Sequence, residues 1–121
     1  MSIRGKDRQI DNIEFNVSDI GRSKAFYGSV FGWTFTDYGP TYTEFHDGRI
    51  AGGLTTGEPV RPGGPLVILY ADDLAEIQRR IEATGATINR QTFSFPGGRR
   101  FHFIDPDGYE LAVWSEDESS Q

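Results

Sequence analysis

The chain has no cysteine, a single methionine and only two histidines among its 121 residues. Without cysteine there can be neither a disulfide nor a thiolate metal site, and a reducing cytoplasm is the compartment to expect. Long apolar runs are missing too. No stretch approaches the roughly 20 residues of a membrane helix, and the charged opening segment Met1 to Arg8 lacks the apolar run of a secretion signal. Basic charge is scarce, with 12 Lys and Arg against 18 Asp and Glu and a net charge of −6. Nucleic acid needs a basic face, so it is set aside as a partner. The acidic balance serves solubility and also suits a neutral or cationic small molecule. No dinucleotide fingerprint, Walker loop or nucleophile elbow is present, and Gly52-Gly53 and Gly97-Gly98 are too short to cradle phosphate.

What the chain does have is 15 glycines, 9 Phe, 5 Tyr and 2 Trp, the composition of a sheet protein with tight turns and much aromatic surface. A length of 121 residues suits one domain. Residues 1–8 and 115–121 are polar and expected to fray. From Ile10 to Val17 apolar Ile13, Phe15 and Val17 alternate with Asn12, Glu14 and Asn16, the period of a strand with one apolar and one polar face. Ser18-Asp19 is a capping signal, and Ile20, Ser23, Phe26, Tyr27, Val30 and Phe31 then recur at helical spacing until Gly32. Strands follow at 33–37, 42–46 and 50–55, with turns at Gly39-Pro40 and Asp47-Gly48. Gly52-Gly53 is read as a point where its strand bends sharply.

The same order then returns. Leu66 to Tyr70 is a strand. Asp73 and Glu76 form a capping box ahead of the stripe Leu74, Ile77, Ile81, and Gly85 ends that helix. Strands are expected at 86–90, 99–104 and 109–114, the last two joined by Asp105-Pro-Asp-Gly108. The repeat implies module one at about 9–56, a linker at 57–64 and module two at about 65–115, with extra residues around Ser94 to Gly98.

Two segments carry a family likeness. Asn16-Val-Ser-Asp-Ile-Gly-Arg-Ser-Lys-Ala-Phe-Tyr27, followed by Val30-Phe-Gly-Trp33, resembles the opening strand and helix of modules in the vicinal-oxygen-chelate superfamily, which includes glyoxalase I, bleomycin-resistance proteins and extradiol dioxygenases. Phe103-Ile-Asp-Pro-Asp-Gly-Tyr-Glu-Leu111 resembles the closing hairpin of those modules. The resemblance covers about residues 10–115. It implies an α+β fold of two βαβββ modules forming a curved, cup-shaped mixed sheet with the helices outside. It also implies a ligand held in the cup and pairing of chains as a homodimer. In metal-dependent members of that superfamily four strands supply ligands. Carried over by position, these fall on Asn12, Gly52, Leu66 and Ala112, none of which is an imidazole, carboxylate or thiolate. The resemblance therefore implies the fold without the usual metal, and no cofactor is expected.

The residues left to carry chemistry are few. Asn12, Glu14, Asn16 and Glu44 share polar strand faces and are candidates for the pocket. Tyr70 and Trp114 are candidates for an aromatic wall. The other strand aromatics, Trp33, Phe35, Tyr38 and Tyr42, read equally as core. Glu14 is either a solvated carboxylate or a partly desolvated one able to hold an amine or act as a base. Glu14 and His102 are the candidates for catalysis, and His46 or His102 for a nonstandard metal site alongside Glu14 and Glu44. Arg99-Arg100 reads as a solvated strand end, with anion binding as the alternative. Three functions stay open: a resistance-type protein that binds a small aromatic or cationic molecule without metal; a lyase, isomerase or dioxygenase using a displaced metal or metal-free acid–base chemistry; and a non-catalytic structural or regulatory partner domain.

Overall fold

A computed structural model of the protein describes residues 5–116. Most of the frayed ends expected at 1–8 and 115–121 lie outside the described residues. The chain divides into two compact units, Met1–Val60 and Arg61–Gln121. Each has one helix and one four-stranded sheet, so the fold is α+β.

The first unit runs β1 (Asn12–Asn16), α1 (Ile20–Phe31), β2 (Thr34–Asp37), β3 (Tyr42–His46) and β4 (Ala51–Thr55). Its sheet has the order β1-β4-β3-β2, with β1 parallel to β4 and the other pairs antiparallel. The second unit runs β5 (Val67–Tyr70), α2 (Leu74–Ala83), β6 (Arg90–Phe95), β7 (Gly98–Ile104) and β8 (Glu110–Glu116). Its order, β5-β8-β7-β6 with β5 parallel to β8, is the same pattern again. The internal repeat read from helix caps and turns is thus a repeat of topology.

Local chemistry sets the boundaries. Asp19 caps α1 by accepting from the Arg22 amide at 3.0 Å, and Asp73 caps α2 by accepting from the Glu76 amide at 3.1 Å, each cap contributing about 1 kcal/mol. Gly32 ends α1 in the left-handed region at φ 74°, where a side chain would be strained. The two closing turns use one device. Asp47 Oδ1 accepts from the amides of Arg49 and Ile50, and Asp105 Oδ1 accepts from those of Asp107 and Tyr109.

In the first unit, α1 packs on β4 and buries Ser23, Phe26, Tyr27 and Val30. Tyr27, Trp33 and Phe45 form a near-parallel stack, with ring centroids 4.5 and 4.4 Å apart, and Phe15, Val17 and Leu54 complete the core. Trp33 is therefore a core residue. In the second unit, α2 packs on β8 and buries Leu74 and Ile81, while Phe101, Phe103, Leu111 and Val113 are fully enclosed.

Two expectations are corrected. The strand expected at 86–90 lies at Arg90–Phe95, because Thr92-Phe93-Ser94-Phe95 alternates and Pro96-Gly97 turns it directly into β7, with Gly97 at φ 98°. The extra residues of the second unit consequently sit between α2 and β6, at 84–89, and not around Ser94 to Gly98. Gly52 and Gly53 keep regular pairing with β1 and β3, and packing requires them to be small. A Cβ on Gly52 would run into the Phe45 ring and the Ile13 carbonyl oxygen, and one on Gly53 into the Tyr42 hydroxyl.

Gly52→Ala is accordingly expected to destabilise the fold by about 1–3 kcal/mol, the range for overpacking a filled site. The check is a lower urea midpoint at unchanged slope. An unchanged midpoint would contradict the packing described.

Candidate functional site

In each sheet, alternation sends every second side chain away from the helix. In the first unit, register places Glu14, Gly53, Glu44 and Thr36 in one row across the sheet. Asn12, Ala51, His46 and Thr34 fill the next, and Asn16, Thr55 and Tyr42 the third. All belong to the face opposite Phe15, Phe45 and Leu54, which α1 covers. Asn12, Glu14, Asn16 and Glu44 therefore do share one helix-free face. Glu14 is exposed there, matching the solvated reading of its carboxylate. The Tyr42 hydroxyl reaches diagonally over Gly53 and donates to Glu14 Oε2 at 3.0 Å. Burial, then the Glu14 carboxylate, raise the Tyr42 phenol above its ordinary pKa, so it remains a donor at neutral pH. His46 lies on the same face, with Nε2 3.1 Å from the Thr36 hydroxyl and 3.5 Å from Glu44.

In the second unit the helix-free face is aromatic. Ile68, Ala112, His102 and Arg90 form one row, and Tyr70, Trp114, Arg100 and Phe93 the next. Tyr70 and Trp114 meet edge to face with centroids 5.0 Å apart, and Phe95 lies 6.1 Å from Trp114. Ile68 and Tyr70 are 44% and 46% exposed, so this apolar surface is open. Two cations lie within it. Arg90 sits 4.1 Å above the Phe93 ring, and Arg100 lies 5.3 Å from Phe93 and 5.8 Å from Phe95. Arg100 is thus built into the aromatic face and is not a solvated strand end. Sequence reading missed Phe93, Phe95 and Ile68. The signal was the alternation of residues 92–95 before a Pro-Gly turn, which had been assigned to an insertion.

His102 is buried on this face. Its Nδ1 lies 2.6 Å from Glu110 Oε2. The hydrogen bond from His102, then one from Asn89, hold the Glu110 carboxyl below its ordinary range. With Glu110 ionised, the imidazole proton belongs on Nδ1. His102 Nε2 and Arg100 Nε are both buried and have no hydrogen-bond partner among the described residues, a condition costing about 1–3 kcal/mol per group when nothing fills it.

The positions corresponding to the superfamily's metal ligands do not fit a metal. Asn12 and Ala112 occupy helix-free faces but offer an amide and a methyl group. Leu66 just precedes β5. Gly52 lies on the helix-covered side under Phe45, and its neighbours Ala51 and Gly53, which do face away from the helix, have no ligand atoms either. Among the described residues no group of three or more His, Cys, Asp or Glu could hold an ion. This leaves His46 and His102 without the carboxylate cluster that a nonstandard metal site would need. No helix of the described residues is long and apolar enough to cross a membrane.

This architecture has clear relatives. The chain belongs to the glyoxalase/bleomycin resistance protein/dioxygenase superfamily, whose family model matches residues 9–113. The anthracycline biosynthesis protein DnrV of Streptomyces peucetius is 32% identical over 79% of this chain. The chain spans 42% of that relative's length. Among solved structures, a glyoxalase-related enzyme from Fulvimarina pelagi superposes with a TM-score of 0.75 at 24% identity, covering 90% of this chain and 88% of that one. TnmS3, an antibiotic binding protein from Streptomyces sp. CB03234, gives 0.74 at 22% identity, covering 97% and 99%. At these identities the two structures show the fold alone.

The Glu110 interaction has a defined pH signature. A carboxyl whose folded pKa is depressed stabilises the native state above its unfolded pKa, and that contribution disappears as pH falls through the folded value. The thermal midpoint of wild type should therefore exceed that of Glu110→Gln at neutral pH. The gap should close as pH drops to about 3, below the ordinary carboxylate range. A gap that is constant with pH would show that Glu110 acts through packing rather than charge.

Proposed function

We propose that the protein is a metal-free member of its superfamily that binds a small molecule with a planar aromatic ring system. The observation that carries this reading is the aromatic face of the second sheet on the side away from α2, where Ile68 and Tyr70 are exposed and Phe95 and Trp114 lie half-buried beside them. Such a surface, apolar with a few placed polar groups, is what small-molecule sites are made of. That TnmS3 is an antibiotic binding protein and DnrV an anthracycline biosynthesis protein supports a small-molecule ligand. Glu14 and Glu44, on the helix-free face of the first sheet, give the alternative for a ligand bearing an amine. A cytoplasmic homodimer belongs to the same reading, because β1, β2, β5 and β6 are unpaired edges and edges invite pairing.

A second reading rests on His102. An imidazole held by a carboxylate, with its other nitrogen unpartnered, is also the arrangement of a general base. Conversion of a bound compound that is lost in His102→Gln would replace binding by metal-free acid–base catalysis.

Titration with planar aromatic compounds, followed by tryptophan fluorescence, tests the binding reading. Tyr70→Ala and Trp114→Ala should each weaken binding by about 1 kcal/mol or more, the level of an interface aromatic that matters. Glu14→Gln should weaken binding by about 1.5–3 kcal/mol for compounds with an amine against it, and leave neutral ones unaffected. Affinities unchanged in both aromatic variants would exclude this face as the site.

One preparation made without a histidine tag checks the rest. Elemental analysis should give well under one transition-metal ion per chain, and sedimentation should give the mass of two chains. Stoichiometric zinc, nickel or iron would overturn the metal-free assignment, and a monomer at high micromolar concentration would overturn the dimer.

A further inference from the structure

Arg100 and His102 are two residues apart on β7 and point to the same helix-free face. Each has a buried ring or guanidinium nitrogen without a partner among the described residues, and His102 is only 4% exposed. Native structures rarely leave such groups unmatched. The two differ in kind: Arg100 Nε is a donor that calls for an acceptor, whereas His102 Nε2, with the ring proton on Nδ1, is itself an acceptor.

The charges on this face define its sign. Its two carboxylates are already engaged: Glu110 with His102 Nδ1, and Glu116 with the Tyr70 hydroxyl at 3.2 Å. Arg100 forms no ion pair with a described residue. Its guanidinium carbon lies within 6 Å of the ring centroids of Phe93 and Phe95. Rings around a guanidinium displace water, leaving its N–H edge as the natural contact for an acceptor in its plane. A carboxylate or sulfonate meets that requirement, and an amine does not.

We propose that the helix-free face of the second unit is a subsite for an aromatic acid. The ligand's ring would lie on Phe95, Trp114 and Tyr70. Its anionic oxygens would accept from the Arg100 guanidinium. The inference rests on the aromatic-binding reading and adds the charge of the ligand. It runs against the overall charge of −6, which repels anions, so a preference for an anion would have to be local.

The test compares two fluorescent probes on the intact protein. 1-Anilinonaphthalene-8-sulfonate carries a sulfonate, and N-phenyl-1-naphthylamine is the same ring system without it. Wild type should bind the sulfonate at least about tenfold more tightly, the scale of one charge-assisted hydrogen bond, and rising salt should shrink the difference. Arg100→Gln should abolish the preference while neutral-probe binding persists. Arg100→Lys, which keeps the charge but loses the planar fork, should retain only part of it. Equal binding of the two probes by wild type would overturn the acid subsite and leave aromatic binding intact. A full preference persisting in Arg100→Gln would do the same. Failure of both probes to bind would overturn aromatic binding on this face, and the subsite with it; failure of the sulfonate alone would overturn the subsite only. The wild-type comparison stands even if a variant does not fold.

Discussion

One helix can cover only one face of a four-stranded sheet, and strand alternation delivers half the side chains of every strand to the other face. That constraint acts twice in this chain. On the covered faces it gathers the stack of Tyr27, Trp33 and Phe45 in the first unit and the enclosed Phe101, Phe103, Leu111 and Val113 in the second. On the uncovered faces it collects everything that can do chemistry. The first unit presents carboxylates, amides and a tyrosine hydroxyl. The second presents aromatic rings, arginines and a carboxylate-held histidine. The two glycines of β4 show the constraint at one point of the chain, with Gly52 making room for a ring on the covered side and Gly53 for Tyr42 on the other.

The covered faces were legible in the sequence because they depend on period and caps. The alternation from Asn12 to Val17 placed Glu14 opposite the helix side, and Asp19, Asp73 and Gly32 marked helix ends that the structure retains. The family likeness implied a mixed sheet in each module, and the parallel pairing of first and last strands follows from no local pattern. What was lost was the β6–β7 hairpin. Its strand starts late, after six residues that belong to neither helix nor sheet, and it contains a register shift between Arg90 and Phe93. The strand expected at 86–90 therefore leaves out Phe93 and Phe95, while Tyr70 and Trp114 of the same face are legible from their own strands. The contact of Arg100 with Phe93 and Phe95 is a cross-strand relation, invisible until the pairing is known.

The superfamily's chemistry is usually written in terms of its metal, and here the corresponding positions carry an amide, a glycine, a leucine and an alanine. Gly52 cannot be rescued by a change of rotamer, since it faces the core. The second unit presents Arg100 and His102 on β7, each with a buried nitrogen that has no hydrogen-bond partner among the described residues, beside a half-exposed aromatic surface. In the proposed reading, binding draws on the rings and on a charge-assisted hydrogen bond from Arg100.

The central claim, that ligand binds where the helices are not, is tested most directly by side-chain NMR. The chain has one tryptophan on each kind of face, Trp33 in the helix-covered core and Trp114 on the open sheet, and a matching pair of isoleucines in Ile81 and Ile68. Saturation with an aromatic ligand should shift the Trp114 indole and Ile68 methyl resonances and leave those of Trp33 and Ile81 in place. Shifts confined to Trp33 and Ile81 would contradict the account.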